Sequence, residues 1–334
     1  MRKTLLLMVA IALTGGTALA QNRVTVALVG GTYDEVVKAS IVKPLEAQKL
    51  MVTSDIGPHP VRLTKLVTER GQPGSYDVVQ FPDYFMYQAN SYGLLEKLDP
   101  AKVKSWGKVV PAFRREYAVP HIYSAAVLVY DPARVSAEPK SYAVFWDPKY
   151  KGRVGALDFM FPQWLWMAST QAGNTTNKDF DKGWEKLIAL KQAGLKIYPT
   201  QEALDAAMKS GQVWLTLNYR ARAAQLEKAG IKVKTTVPKE GAWPVSFSFG
   251  IPKNAKNKDG AYQYLNQVLT QEAQKAAAEG IYYAPVTSDA RIPAALDRTI
   301  GFTSAEVKQF IDVDFEYVAK SSPAWRQRWE EQVK

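Results

Sequence analysis

The sequence predicts an α/β protein built as two lobes, on two observations. Short apolar runs rich in β-branched residues are repeatedly followed by a Gly or Asn turn and a stretch of helix-forming residues, as in an open sheet with helices on its faces. The chain has 334 residues, and about 310 remain without the first twenty, more than a single hydrophobic core usually holds. Two domains are therefore expected.

Strand and helix patterns alternate from the start of this region. Val24–Val29 predicts a first strand, which ends at the Gly30–Gly31 turn, where glycine lets a ligand approach the backbone. The following helix carries Pro44, so it should be kinked or divided there. The next predicted elements are a strand at Met51–Ile56, a helix at Val61–Arg70, a strand within Ser75–Tyr84 that leads into a helix start, and a strand at Val127–Tyr130.

The stretch GQVWLTLNYRARAAQLEKAG, Gly211 to Gly230, predicts the position of a binding crevice. Val213–Leu217 reads as a buried strand, Asn218 as a helix N-cap, and the following residues as a helix that stops at Gly230. Ligands of open α/β sheets bind beyond the carboxyl ends of the strands, where helix N-termini favour anions. Tyr219, Arg220 and Arg222 should face this crevice, unless the arginines lie on a solvated helix face.

The remaining patterns complete the same architecture. They predict an amphipathic helix at Asp179–Ala193, an alternating strand at Val245–Ile251, a helix at Ala261–Gly280 and a helical tail from Ala305. No internal repeat or low-complexity tract interrupts the series. The elements therefore predict one α/β architecture throughout.

Residues 1–20 have the pattern of a cleavable signal peptide. Arg2 and Lys3 precede the apolar run Leu5–Leu13, and Ala18-Leu19-Ala20 forms a small-residue cleavage site before Gln21. The run is too short to span a bilayer. The chain contains no cysteine, which excludes disulfides, thiol catalysis and a lipid-anchored N-terminal Cys. These features predict an exported, periplasmic protein.

The formal net charge is +11 with a pI near 9.4, and about +9 remains without Arg2 and Lys3. Lys and Arg are spread along the chain without a dense basic run, so no nucleic-acid partner is expected, although the charge can attract small anions. His59 and His121 are the only histidines, and no G-x-S-x-G, H-E-x-x-H or P-loop motif is present. We therefore expect neither an enzyme nor a cofactor.

Four collinear stretches carry a resemblance to a known family: SYDVVQFPDYFMYQANSYGLLEKLD, YAVPHIYSAAVLVYD, VFWDPKYKGRVGALD and VPKEGAWPVSFSFGIPKNAKNKDGAYQYLNQVLTQEAQKAAAEGIYYAPV. The chain resembles the periplasmic substrate-binding proteins of ABC transporters, the spermidine/putrescine-binding family in particular. The resemblance implies a monomer that carries a small-molecule solute to a membrane permease.

The resemblance also implies a two-lobed type II periplasmic binding protein fold, with the ligand cleft between the lobes. Hinge crossings are expected near Tyr123-Ser124 and Val245-Ser246. Residues 21–123 plus 246–287 would then form lobe 1, and residues 124–245 plus 288–334 would form lobe 2.

Ten positions are implied as ligand contacts, from the family pattern and the strand-to-helix turns. Asp83 would otherwise be a helix N-cap, and Phe81 and Tyr84 would either line the cleft or pack. Tyr219 stands where the family has a Trp. The predicted contacts are Thr32, Tyr33, Phe81, Asp83, Tyr84, Gln163, Tyr219, Arg222, Phe247 and Tyr283.

The carboxylates that hold ammonium groups in this family are not retained. Their positions fall near Met160, Gln163 and Phe247, and Asp158 would substitute only if the register slips by two. Arg222 matches an Arg that binds a ligand carboxylate in a family relative. The cleft has therefore lost anions and gained a cation, which favours a carboxylate-bearing or zwitterionic solute such as a 4-aminobutyrate-like zwitterion, an opine-like amino-acid conjugate or a small organic acid.

Asp34 or Asp83 would meet an amino group of such a solute, and a polyamine remains the alternative ligand. Ferric ion is a second alternative, because ferric-binding proteins resemble this fold and use paired tyrosines at the same helix start. Here that turn reads Asn-Tyr-Arg with one Tyr, and the adjacent Tyr282 and Tyr283 should point to opposite faces of a strand.

Overall fold

The structure is a computed structural model that describes residues 22–334. The predicted signal peptide and its cleavage site lie outside the described residues. The strands are β1 (Arg23–Leu28), β2 (Met51–Ile56), β3 (Val78–Pro82), β4 (Val119–Tyr130), β5 (Val154–Leu157), β6 (Lys196–Tyr198), β7 (Leu215–Tyr219), β8 (Lys234–Thr236), β9 (Trp243–Gly250) and β10 (Ala284–Pro285).

The α-helices are α1 (Thr32–Val37), α2 (Lys43–Ala47), α3 (His59–Thr68), α4 (Asp83–Ser91), α5 (Phe161–Gln171), α6 (Trp184–Gln192), α7 (Gln201–Lys209), α8 (Arg220–Lys228), α9 (Lys258–Val268), α10 (Gln271–Ile281), α11 (Ala294–Ile300), α12 (Ser304–Val307) and α13 (Phe315–Gln332). No helix among residues 22–334 is long and apolar enough to cross a membrane.

The ten strands form one sheet in which two long strands join two parallel halves. Its main path runs β2-β1-β3-β9-β4-β7-β5-β6, with β8 and β10 paired to β4. The parallel strands β1, β2 and β3 define lobe 1, and the parallel strands β5, β6 and β7 define lobe 2. Both crossing strands, β4 and β9, are antiparallel to each other.

The crossing strands pair where the hinge is predicted: Tyr123 lies opposite Ser246, and Ser124 lies opposite Val245. Buried apolar residues also separate into different clusters. One cluster uses residues 125–243 and 318–333, whereas two others use residues 24–123 and 249–286. The two-lobed α/β prediction is confirmed, and the residue bounds of the lobes remain a prediction.

The helix before β2 is divided, as Pro44 predicts. A π-helical turn at Lys38–Val42 separates α1 from α2, and Pro44 lies in the first turn of α2. Ser40 Oγ donates to the Val36 carbonyl at 2.8 Å within this turn. The wider turn accommodates the backbone nitrogen of proline, which cannot donate a hydrogen bond.

Several predicted elements differ in their bounds, and two of these differences change where a helix begins or ends. Strand β7 runs from Leu215 to Tyr219, so the N-cap of α8 is Tyr219 and not Asn218. The Asn218 side chain instead accepts from the Tyr219 N–H at 2.8 Å. The helix predicted at residues 261–280 is two helices, because α9 ends at Val268 and Thr270 caps α10 by accepting from the Ala273 N–H.

Candidate ligand-binding cleft

Nine of the ten predicted contacts line two cavities between the lobes, and each cavity is lined by residues of both lobes. The larger is about 770 Å³ and the smaller about 460 Å³, both within the range of small-molecule sites. The larger contains five predicted contacts, namely Thr32, Tyr33, Arg222, Phe247 and Tyr283. The smaller contains four, namely Asp83, Tyr84, Gln163 and Tyr219. Phe81 lines neither cavity.

The lobe 1 wall of the larger cavity begins where β1 ends. Gly30 and Gly31 connect β1 to α1 and line the cavity. Gly31 has a φ of 73°, a left-handed conformation that glycine adopts at little cost. A Cβ on Gly30 would lie 2.8 Å from Ile56 Cγ2. The double glycine therefore fixes a tight turn that leaves the backbone open to the cavity.

Arg222 enters the larger cavity from the first turn of α8. Its Nη1 donates to Gln225 Oε1 at 2.7 Å, and Gln225 Nε2 donates to the Ile281 carbonyl of lobe 1 at 2.8 Å. Among residues 22–334, no carboxylate lies within 4 Å of the Arg222 guanidinium. Arg222 is thus positioned by a neutral side chain, and its charge is not neutralised by an ion pair.

Aromatic side chains form the rest of this wall. The rings of Phe247 and Tyr283 meet edge to face at 5.7 Å between centroids. Burial raises the pKa of Tyr283, an effect that the charge of Arg222 opposes. Tyr33 shares a hydrogen bond of 2.9 Å with Nδ1 of His121, and burial raises its pKa far above the usual value. Both hydroxyls therefore stay protonated at neutral pH.

Burial lowers the pKa of His121 to about 4, which makes the stability of the fold pH-dependent. The unfolded histidine titrates near 6.5, so the unfolded state binds more protons between about pH 6.5 and pH 4. The free energy of unfolding should fall as pH decreases through this window, by about 1.4 kcal/mol per pH unit for this one group. Above about pH 6.5 His121 is neutral in both states and causes no loss of stability.

Urea titrations at pH 7, 6, 5 and 4.5 would measure this dependence. His121→Gln, which removes the titrating ring, should show a shallower loss of stability across the same window. Equal slopes in the two proteins would contradict the assignment of the loss to His121.

The smaller cavity contains Asp83, whose carboxylate is hydrogen-bonded to the crossing strand β9. Asp83 accepts hydrogen bonds from the backbone N–H of Ser246 and, at 2.7 Å, from its hydroxyl. Burial raises the pKa of Asp83, although these hydrogen bonds oppose the shift. The N-cap of α4 is Pro82, so the alternative interpretation of Asp83 as the N-cap is wrong: Asp83 is the first helical residue.

The other predicted contacts in the smaller cavity are uncharged. Tyr84 accepts a hydrogen bond of 3.3 Å from Gln88, and burial raises the pKa of Tyr219 far above its usual value. Gln163 Oε1 is buried and has no hydrogen-bond partner within residues 22–334. This cavity is therefore lined mainly by aromatic and other apolar side chains.

Two residues predicted near the cleft lie elsewhere. Phe81 is fully buried and packs beside Phe85 with ring centroids 6.1 Å apart, because alternate residues of β3 face the lobe 1 core. Arg220 is buried against the chain after α11. It pairs with Glu306 at 2.5 Å and stacks on Phe302 at 3.9 Å, so the prediction that it faces the crevice is wrong.

Asp158 does not replace the missing family carboxylates. Its side chain accepts from Arg326 Nη2 at 2.9 Å, from Trp329 Nε1 at 2.9 Å and from Lys334 at 3.1 Å. Burial alone raises the pKa of Asp158, but these hydrogen bonds hold it below the usual value. The carboxylate therefore anchors α13 to the segment before α5. Met160, near which the resemblance implied a family carboxylate, is fully buried.

The two acids proposed to meet an amino group are also engaged. Asp34 Oδ2 pairs with Lys38 at 2.6 Å, although Oδ1 is buried without a hydrogen-bond partner in the described part of the chain, and Asp83 is held by Ser246. The larger cavity instead contains Glu202, which sequence reasoning missed. Hydrogen bonds from its own backbone N–H and from Thr200, together with the charge of Arg222, lower the pKa of Glu202. The signal available in the sequence was an acidic residue in the first turn of α7, two residues after its N-cap Thr200.

Other lining residues of the larger cavity were missed as well: His59, Gln225, Lys228 and Tyr282. Tyr282 has a φ of 62° and is the C-cap of α10, not part of a strand. The prediction that Tyr282 and Tyr283 point to opposite faces is therefore wrong, because both line the cavity. Within residues 22–334, no group of three or more His, Cys, Asp or Glu side chains is arranged to hold a metal ion.

Sequence comparisons match this chain to binding proteins. It is 27% identical over 228 residues to the spermidine/putrescine-binding periplasmic protein of Escherichia coli, a match that covers 63% of each chain. It is 23% identical over 270 residues to the gamma-aminobutyric acid-binding protein of Pseudomonas aeruginosa, which covers 76% of this chain and 75% of that protein. The chain thus spans less than two thirds of the Escherichia coli relative.

The fold matches solved structures of the same type. The crystal structure of an ABC transporter protein from Clostridium perfringens superposes with a TM-score of 0.81 at 22% identity, covering 93% of this chain and 100% of that one. This confirms the two-lobed type II periplasmic binding protein fold. The sequence profile of the bacterial extracellular solute-binding proteins matches residues 63–303. The chain therefore belongs to the bacterial extracellular solute-binding protein family.

Proposed function

We propose that this protein is the solute-binding component of an ABC importer, capturing a small carboxylate-bearing or zwitterionic amine solute in the periplasm. It delivers that solute to a membrane permease, acts as a monomer after removal of a signal peptide, and catalyses no reaction. The observation that carries the proposal is Arg222, a cation without an ion pair in a cavity between two lobes.

Arg222 supports an anionic group on the ligand. A guanidinium donates two parallel hydrogen bonds to a carboxylate, and Arg222 lies in the first turn of α8, where backbone N–H groups favour the same charge. The family's ammonium-binding positions are occupied by Met160, Gln163 and Phe247, which carry no charge. A diammonium ligand would lack these counter-charges and meet the charge of Arg222.

Glu202 supports an amino group at the other end of the ligand. It is the carboxylate among the lining residues of the larger cavity, and Arg222 helps to keep it ionised. Tyr33, Phe247 and Tyr283 give the cavity an apolar surface for a short methylene chain. A zwitterion with a carboxylate near Arg222 and an ammonium near Glu202 fits this arrangement.

The ligand comparison that tests the proposal uses 4-aminobutyrate and putrescine, which share a four-carbon chain and differ at one end. A ligand at about a hundred times its Kd stabilises the protein by about 2.7 kcal/mol. Thermal unfolding should shift with 4-aminobutyrate and not with putrescine. A shift with putrescine alone would restore the polyamine alternative, and turnover of the bound solute would contradict the proposed absence of catalysis.

Ferric-ion binding is the second candidate, favoured by Tyr282 and Tyr283 in one cavity. Metal-bound tyrosinates absorb visible light, so addition of ferric citrate would give a coloured complex. Burial raises the pKa of Tyr283, which disfavours the tyrosinate form. We therefore expect no visible band.

A further inference from the structure

Behind the lobe 1 wall of the larger cavity lies a buried cation that has no carboxylate partner. Arg62, on α3, is 1% exposed, and within residues 22–334 no carboxylate lies within 4 Å of it. Asp55, whose charge acts on Arg62, is paired with Lys65 at 3.4 Å. A buried charge without a partner is costly unless another group compensates it.

The hydrogen bonds of Arg62 are only partly satisfied. Nη1 and Nη2 each reach Gln80 Oε1 at 3.4 Å, and Nη2 contacts His59 Nδ1. Its Nε and the Gln80 Nε2 are buried without hydrogen-bond partners in the described part of the chain. The guanidinium lies over the Phe81 ring at 5.2 Å. Neutral neighbours therefore hold this cation beside His59.

His59 connects Arg62 to the cavity. Arginine can only donate, so Nδ1 of His59 accepts from Arg62, and in the neutral imidazole Nε2 then carries the proton. Burial, with the charge of Arg62, lowers the pKa of His59 to about 4, so the ring is neutral at pH 7. His59 lines the larger cavity, and no described residue hydrogen-bonds its Nε2.

We propose that His59, backed by Arg62, is a second anion-binding element, and that the solute carries two carboxylate groups, one bound by His59 of lobe 1 and one by Arg222 of lobe 2. This rests on the proposed function and narrows its substrate class. The donor at Nε2 is polarised by the cation behind it, and the two positive centres stand in different lobes. Closure around such a solute would place one carboxylate at His59, in front of Arg62, and the other at Arg222, while Glu202 remains available for an amino group of the solute.

Succinate is the probe, because it has the four-carbon length of 4-aminobutyrate with a carboxylate in place of the ammonium group. Calorimetric titration at pH 7.5 should show tighter binding of succinate than of 4-aminobutyrate. His59→Leu should weaken succinate by about tenfold or more, as expected for a hydrogen bond to a charged group, and 4-aminobutyrate by less than about threefold. His59→Gln, which keeps an N–H donor, should recover most of the loss.

Arg62→Met separates binding from structural support. Replacement of a buried, uncompensated charge by an apolar side chain is often neutral or stabilising, so the melting temperature without ligand should stay the same or rise while succinate affinity falls about tenfold or more. Lys65→Met, which removes from the same helix a partly exposed cation paired with Asp55, is the control and should leave succinate affinity unchanged.

The outcomes distinguish this inference from the proposed function. If succinate binds no better than 4-aminobutyrate, or if His59→Leu and Arg62→Met leave succinate affinity unchanged while Arg222→Ala abolishes it, this inference is wrong and the proposed function stands. If neither succinate nor 4-aminobutyrate binds and putrescine does, both are wrong. A fall in the melting temperature of Arg62→Met without any loss of succinate affinity would make Arg62 a structural residue.

Discussion

Replacement of Arg222 by alanine is expected to weaken 4-aminobutyrate binding by about 30-fold or more. Truncation of one partner of a charged hydrogen-bonded pair in a closed cleft costs about 2–5 kcal/mol, and each 1.4 kcal/mol is about tenfold in affinity. The fold supports this result, because Gln225 fixes Arg222 through a single nitrogen and the remaining donors stay available to the ligand. Titration calorimetry on both proteins measures the difference.

Matched variants separate the contribution of the Arg222 charge from that of its paired hydrogen-bond donors. Arg222→Lys keeps the charge but loses the planar pair of donors, so its affinity should lie between those of the wild type and Arg222→Ala. Lys228→Ala removes an exposed cation from the same cavity and should change affinity by less than about threefold, because exposed charge pairs contribute about 0–1 kcal/mol. Putrescine binding that is tight in the wild type and unchanged or improved in Arg222→Ala would overturn the anion proposal.

Local signals predicted the fold well. The Met51–Ile56 strand was predicted with its observed bounds, since alternating residues between a helix and a Gly-Pro loop leave little freedom. The position of Pro44 predicted the division of the first helix because proline cannot donate to the helix ladder. The error at Asn218 has the same local origin: its short side chain bonds the neighbouring N–H within the strand, as a cap would one residue later.

Long-range partners decided what the sequence could not. Arg220 and Arg222 have the same helix and similar propensities, yet only Arg222 reaches the cavity. Arg220 meets Glu306, eighty-six residues further along the chain, and no local pattern contains that pairing. Asp158 likewise has its partners at the C-terminus, far along the chain. His59 is a candidate ligand contact only because Arg62 is buried behind it, and burial is set by the whole fold.

The anchoring of α13 provides the largest expected change in stability. Trp329 is fully buried, with 0% of its surface accessible to solvent, and its Nε1 donates a hydrogen bond to Asp158. Trp329→Ala should lower the free energy of unfolding by about 3–5 kcal/mol, through lost apolar burial and the cavity that remains. Trp329→Phe keeps most of the ring and removes the hydrogen bond, so it should cost about 1–2 kcal/mol.

Asp158→Asn tests the same anchor from the carboxylate side. It keeps the shape and one acceptor but removes the charge that Arg326 and Lys334 share. Those cations are 37% and 41% exposed, so solvent screening limits the expected loss to about 1–3 kcal/mol. Urea unfolding measures this loss, and calorimetry with 4-aminobutyrate should show an affinity within about threefold of the wild type, because the carboxylate faces α13. If Asp158→Asn left stability unchanged and instead removed putrescine binding, Asp158 would be the ligand carboxylate that the slipped register implies, and the cleft would again be one for a polyamine.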